Sequence, residues 1–170
     1  MTRTLRRLAA LVLLFIPLAV LAQEPPQIDV IGGQAAALPI AVVPFAGSAG
    51  ETDIAKVVAA DLDRSGQFRT LPQTDMVERP TSSAEVSYPT WRTLRQDYLL
   101  IGRVIPDGAQ LRVEYELFDV AKQTRVLGEA KIAPAAAARD VAHQIADAVY
   151  EKVLGVRGDA AYVRECCEVS

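Results

Sequence analysis

Apolar and polar residues alternate most regularly in the second half of the chain. Over residues 111–117, LRVEYEL, every second side chain is apolar, which is the period of a strand with one buried face. The apolar run Tyr98–Ile105 precedes it, and the turn-forming triplet Pro-Asp-Gly occupies 106–108. This order predicts an antiparallel β-hairpin. Residues Thr124–Ile132 follow a polar turn and are predicted to add a third strand.

Shorter strands are predicted nearer the N-terminus. Ile40–Phe45 is rich in β-branched residues and bounded by prolines, and it is apolar enough to lie inside a sheet with both faces covered. Gln67–Leu71 is predicted as a short strand, and Ile28–Ile31 can also pair as one. The sheet should therefore contain about five strands.

Two segments show the apolar spacing of long helices. We expect Thr52 to cap the first and Gly66 to end it, with Asp61 interrupting its apolar stripe. The second should begin at Pro134 and end at Gly155. The stripe residues are Ile54, Val57, Val58 and Leu62 in the first helix, and Val141, Ile145, Val149 and Val153 in the second.

The stretch between these regions is polar and rich in proline. Residues Pro72–Pro89 predict a long surface connection with one helical turn near Thr74–Val77. Thr90 should cap a short helix that runs to Gln96, in which Trp91 is interpreted as a core anchor rather than a ligand platform. Together the elements predict an α/β fold: a mixed sheet of about five strands packed with two long helices and a short one.

The first 22 residues have the pattern of a secretory signal peptide. Arginines lie at positions 3, 6 and 7, the run Leu8–Val20 is almost wholly apolar, and small residues end at Ala22 before Gln23. The run is shorter than the roughly 20 apolar residues of a membrane span, and Pro17 interrupts it. We expect cleavage between Ala22 and Gln23 and a soluble mature protein without a membrane span; the alternative is an uncleaved anchor.

Size and charge narrow the class of protein. Without its leader the 170-residue chain has the usual length of one domain. Its 18 basic and 21 acidic residues give a net charge of −3, and loss of the three leader arginines makes the mature form more negative. No run of basic residues is present, so nucleic acid is not an expected partner. The two cysteines, Cys166 and Cys167, are adjacent, which disfavours a bridge between them.

The residues that could carry chemistry are few. His143 is the single histidine, and it lies four residues before Asp147 on a predicted helix, where the two side chains can meet. No serine stands in a Gly-x-Ser-x-Gly elbow, and one histidine with two tail cysteines does not make a closed metal site. We therefore expect no catalytic, cofactor-binding or metal-binding residues. A strand edge remains as a surface that could bind a partner.

Several blocks, taken in order, resemble one known family. They are Pro39–Phe45, Ala60–Phe68, Trp91 with Asp97 and Gly102, and His143 with Ala146–Gly158. Together, behind a signal peptide, they are similar to the N-terminal α/β domain of the TolB family. The resemblance covers Ile28–Gly158 and implies a non-enzymatic periplasmic protein of the Tol-Pal system, which supports outer-membrane integrity and cell division.

The resemblance also implies a binding segment and a division of the chain. The segment just after the cleavage site would bind the C-terminal domain of TolA, through Gln23, Glu24, Gln27, Ile28, Asp29, Val30, Ile31, Gly32 and Gly33. Here Ile31-Gly32 replace the polar pair common in the family. The expected division is a signal peptide at 1–22, a binding segment and linker at 23–38, the α/β domain at 39–158 and a divergent tail at 159–170.

The end of the chain departs from the family. TolB proteins continue into a β-propeller that binds Pal, whereas Asp159–Ser170 matches nothing in it, so direct Pal binding is not expected. Two rival hypotheses stay open. One is an exported α/β ligand-binding domain, or weak enzyme, that uses Pro72–Pro89 as a lid; the other is a non-functional fragment of a longer, truncated or frame-shifted TolB.

Overall fold

The computed structural model describes residues 37–47 and 52–155, and within them one five-stranded mixed sheet lies between two helical layers. The strands are β1 Leu38–Val42, β2 Phe68–Thr70, β3 Tyr98–Asp107, β4 Gln110–Asp119 and β5 Thr124–Pro134, and the helices are α1 Ile54–Arg64, α2 Tyr88–Thr93 and α3 Ala138–Leu154. The order across the sheet is β2-β1-β3-β4-β5, with β1 parallel to both neighbours and the other pairs antiparallel. The predicted fold class is confirmed.

The two long helices cover one face of the sheet. Their apolar stripes meet side chains that alternate along the strands, because every second strand residue points to the same face. This core contains Val58, Leu62, Val141, Ile145 and Val149 from the helices, and Ile40, Val42, Leu100, Val113 and Leu117 from the strands. The burial of these apolar surfaces is the main stabilising term of the fold.

On the opposite face of the sheet, α2 and the connection before it cover β1 and the adjoining part of β3. Trp91 is fully buried there and packs with Leu99 and Ile101 of β3, which confirms its interpretation as a core anchor. Farther out, this face carries exposed side chains. Ile105, near the end of β3, is 40% exposed, and Ile132 of β5 is 64% exposed.

Several element boundaries differ from the sequence predictions. Asp53, not Thr52, caps α1, accepting a hydrogen bond from the backbone N–H of Lys56 at 3.2 Å. The short helix α2 begins at Tyr88, because Pro89 is well placed in a first helical turn. The strand predicted at Ile40–Phe45 runs instead from Leu38 to Val42.

The ends of the long helices are close to their predicted positions. Gly66 and Gly155 both have a positive φ, +68° and +71°, in the conformation that glycine adopts after a helix. A single 3₁₀ turn at Ala135–Ala137 separates Pro134 from α3. None of the helices within the described ranges is long and apolar enough to cross a membrane.

Candidate functional site

The predicted binding segment, Gln23–Gly33, and the cleavage site at Ala22 lie outside the described residues. The described chain resumes just before β1, which lies between β2 and β3 in the sheet. In sequence, the predicted segment precedes an inner strand of the domain by a few residues.

His143, the single histidine, lies on α3 and faces α1. Its Nδ1 is 2.5 Å from Oδ2 of Asp61, and the two side chains are 25% and 15% exposed. Arg64, one turn along α1, donates to the other oxygen of the same carboxylate. The acidic interruption of the α1 stripe thus has a partner on the neighbouring helix.

This cluster resembles part of a catalytic arrangement, since a carboxylate can orient an imidazole as a base. The sequence placed Asp147 within reach of His143 on the same helix, and the structure adds a 2.5 Å contact with Asp61 on α1. Among the residues described, no hydroxyl or thiol side chain hydrogen-bonds to His143. What the geometry shows directly is a polar link between the two long helices.

The exposed part of the sheet carries a network of paired charges. Glu114 accepts from Nε of Arg103 at 2.6 Å and from Nε of Arg112 at 2.7 Å. Hydrogen bonds from these two arginines hold the pKa of Glu114 below its usual value. Arg125 of β5 pairs with Glu116 of β4 at 2.5 Å. Exposed pairs of this kind contribute little to stability.

A cleft of about 370 Å³ lies between this charged face and the connection that precedes α2. Residues Thr81–Ser83 form one side, and residues of β3, β4 and β5 form the other. Thr81 is held in place, because its backbone N–H donates to Glu85 at 2.8 Å. The walls combine apolar surface with paired charges, whereas most small-molecule pockets are predominantly apolar.

Strand β5 forms one edge of the sheet, and no other described strand pairs with its outer side. On the helix-facing side, Glu129 accepts a hydrogen bond from the hydroxyl of Tyr115 at 2.7 Å and lies 3.3 Å from Nζ of Lys131. Burial and the neighbouring carboxylate raise the pKa of Tyr115 far above its usual value, so the phenol stays protonated and keeps donating. The hydrogen bond from Tyr115 in turn lowers the pKa of Glu129.

Sequence reasoning identified strand edges as possible binding surfaces without identifying which strand is free. The missing information is the order of strands, because β5 is an edge only if β1 and β2 both join the sheet on the β3 side. The contact of Asp61 with His143 was missed for a related reason: it joins positions 82 residues apart. The sequence offered one sign of this contact, which is that Asp61 is an acidic residue inside an otherwise apolar helix stripe.

Comparison with known proteins identifies the family. The profile described as the TolB amino-terminal domain matches residues 26–126. A "Tol-Pal system protein TolB" of Xanthomonas oryzae pv. oryzae is 57% identical over 164 residues, covering 93% of this chain and 37% of the relative. A protein of the same name from Xanthomonas campestris pv. campestris gives the same identity and coverage.

A solved structure agrees with these sequence matches. The crystal structure of TolB from Acinetobacter baumannii superimposes with a TM-score of 0.65 and 29% identity, covering 72% of this chain and 30% of that one. This chain spans 37% of the length of the curated relatives named above. By its sequence and its fold, the chain belongs to the TolB amino-terminal domain family.

Proposed function

We propose that this chain is a non-enzymatic periplasmic interaction module of the Tol-Pal system, and that its mature N-terminal segment binds the C-terminal domain of TolA. The observation that carries the proposal is the family match over residues 26–126, which includes most of the predicted segment. Both Xanthomonas relatives are named as Tol-Pal system proteins, and this chain matches 37% of the length of each. Direct binding of Pal is not part of the proposal.

The residue types of the segment suit a strand that pairs with another protein. Ile28, Asp29 and Val30 alternate apolar, acidic and apolar side chains, so one face can pack on a partner while the other stays in water. Main-chain hydrogen bonds would give affinity, and the apolar side chains would give selectivity. Cleavage after Ala22 would free this segment from the leader.

A paired set of substitutions tests whether the alternating side chains matter. Val30→Ser should weaken binding to the TolA C-terminal domain by about tenfold, the order expected when a buried valine is lost from an interface. Isothermal titration calorimetry measures the dissociation constant. The matched control is Val77→Ser, the same change at a valine that is 71% exposed in the described domain, and it should bind as the parent does. Equal weakening by both variants would contradict the assigned segment.

The cleft beside Thr81–Ser83 favours a second candidate, an exported domain that binds a small ligand under the Pro72–Pro89 connection. Its walls carry charged pairs among apolar surface, which would suit a ligand that has polar groups. A thermal-shift screen of small polar molecules distinguishes the two. A rise of several degrees that is reduced by Ser82→Trp, together with no binding to TolA, would favour this candidate over the first.

A further inference from the structure

Strand β5 combines three properties that bear on what can pair with it. It runs from Thr124 to Pro134, it is the outermost strand within the described sheet, and much of it is exposed. A strand edge offers unpaired N–H and C=O groups to another strand. Lysine on an edge normally discourages such pairing, because an incoming strand must accommodate its charge. In β5, however, Lys131 lies two residues from Glu129 on the same face.

We propose that β5 pairs with β5 of a second copy of this chain, antiparallel, about a two-fold axis at Ala130. In an antiparallel ladder the residue numbers of every opposed pair have the same sum, so an axis at Ala130 sets that residue opposite its own copy. A two-fold axis makes the interface self-complementary, which is the geometry of most homodimers. The two sheets become one sheet that is continuous across the axis.

The charges of β5 select this register. Glu129 of each copy lies opposite Lys131 of the other, so the pairing places two carboxylates against two ammonium groups on the helix-facing side. Within one chain the same pair is 3.3 Å apart, and the side chains are 42% and 33% exposed, so both can reach across the edge. Moving the axis to Glu129 would set that carboxylate opposite its own copy, which is unfavourable.

The sizes of the side chains on the other face fit the same register. Ile132, 64% exposed, lies opposite Gly128 of the second copy. The side chain of Arg125 lies over Gly128, with its Cδ 3.4 Å from where a Cβ would be, so the isoleucine would pack against the aliphatic part of that arginine and bury apolar surface at both ends. Pro134 falls at the end of the ladder, where its missing N–H matters least.

The expected dimer is weak. A single strand pair buries less than the roughly 1,600 Å² of a standard interface, so association should appear on the order of micromolar protein. We expect sedimentation velocity of the exported full chain to show a reversible monomer–dimer equilibrium across this range. A monomer at every concentration would overturn the proposal.

Charge reversal tests the register. Lys131→Glu places glutamate opposite glutamate on both sides of the axis, and Glu129→Lys places lysine opposite lysine, so each variant alone should associate at least tenfold more weakly. Mixed together, the two restore opposite charges at both positions and should form heterodimers. Lys152→Glu, the same change at an exposed position on α3, is the control and should leave association unchanged. No recovery on mixing would contradict the proposed register.

Glu129→Lys also removes the acceptor of the Tyr115 hydroxyl, so circular dichroism must show that this variant folds. A cross-link provides a second measurement that does not depend on that variant. Ala130→Cys, in a background with Cys166 and Cys167 changed to serine, places two thiols opposite each other at the axis, within the Cα separation that a disulfide needs. Mild oxidation should give a covalent dimer. Arg112→Cys on the inner strand β4 should not, and equal cross-linking of both variants would argue against the axis.

Discussion

Asp61 shows how one residue can connect two elements. It interrupts the apolar stripe of α1, yet it is largely buried, because His143 of α3 and Arg64 of its own helix satisfy its carboxylate. A buried carboxylate without such partners would be costly. The sequence marked Asp61 as an exception, and only the packing of α1 against α3 supplies the reason.

The link between the helices should be measurable as a coupling. Asp61→Asn and His143→Gln should each lower the free energy of unfolding by about 1–2 kcal/mol, since the first removes the charge of the shared acceptor and the second removes the imidazole that pairs with it. Because they act on the same contact, the double variant should lose less than the sum, by about 0.5 kcal/mol or more. Urea denaturation of the four proteins measures this. Strict additivity would show that the contact does not join the helices energetically.

Asp119, buried at the end of β4, should contribute to the pH dependence of stability. Burial raises its pKa, but hydrogen bonds from the side chain and backbone of Lys122 outweigh this, and the pKa is lowered overall. A carboxyl whose folded pKa is depressed stabilises the protein above its unfolded pKa of about 3.9, and the contribution is lost as pH falls through the folded value.

Replacing Asp119 by asparagine should therefore lower stability at neutral pH, and the difference from the parent should shrink as the solution becomes acidic. Unfolding free energies measured between neutral pH and about pH 3 test this. A difference that stays constant over the whole range would mean that the hydrogen-bonding geometry, not the charge of Asp119, stabilises the turn.

At the scale of elements, local patterns predicted most of the structure. The alternation in residues 111–117 and the Pro-Asp-Gly triplet predicted the β3–β4 hairpin, because both signals come from neighbouring residues. The turn itself was misplaced: β3 continues through Pro106 and Asp107, and the chain turns at residues 108 and 109. The start of α2 at Tyr88 was missed, because Ser87 and Thr90 are both acceptable cap residues and sequence alone did not rank them.

A substitution at Gly47 tests the close contact between the segment after β1 and strand β3. Ala46 accepts from the N–H of Val104 at 2.7 Å, and Gly47 has φ of +83°. A Cβ at Gly47 would lie 2.1 Å from the carbonyl oxygen of Val104, which is backbone and cannot move aside easily. Gly47→Ala should lower the free energy of unfolding by about 2 kcal/mol or more through clash and strain. Gly108→Ala is the control: its φ is also positive but its Cβ would meet nothing, so a smaller loss is expected in thermal melts.

At the scale of the whole molecule, the fold class followed from the sequence and the functional site only in part. Apolar periodicity indicates which elements form, and the fixed hand and short length of connections restrict how they assemble. The TolB family is established by sequence and by fold. The proposed TolA-binding residues, Gln23–Gly33, lie outside the residues that the structure describes. Their assignment therefore remains a prediction, as does the pairing of β5.

The central claim is that residues 23–33 bind TolA, and a truncation tests it most directly. Calorimetric titration of the TolA C-terminal domain should give measurable binding with the mature form that begins at Gln23 and none with a form that begins at Gln34. A peptide of residues 23–33 should compete with the mature form. Equal binding by the two forms, with matching melting temperatures, would contradict the account.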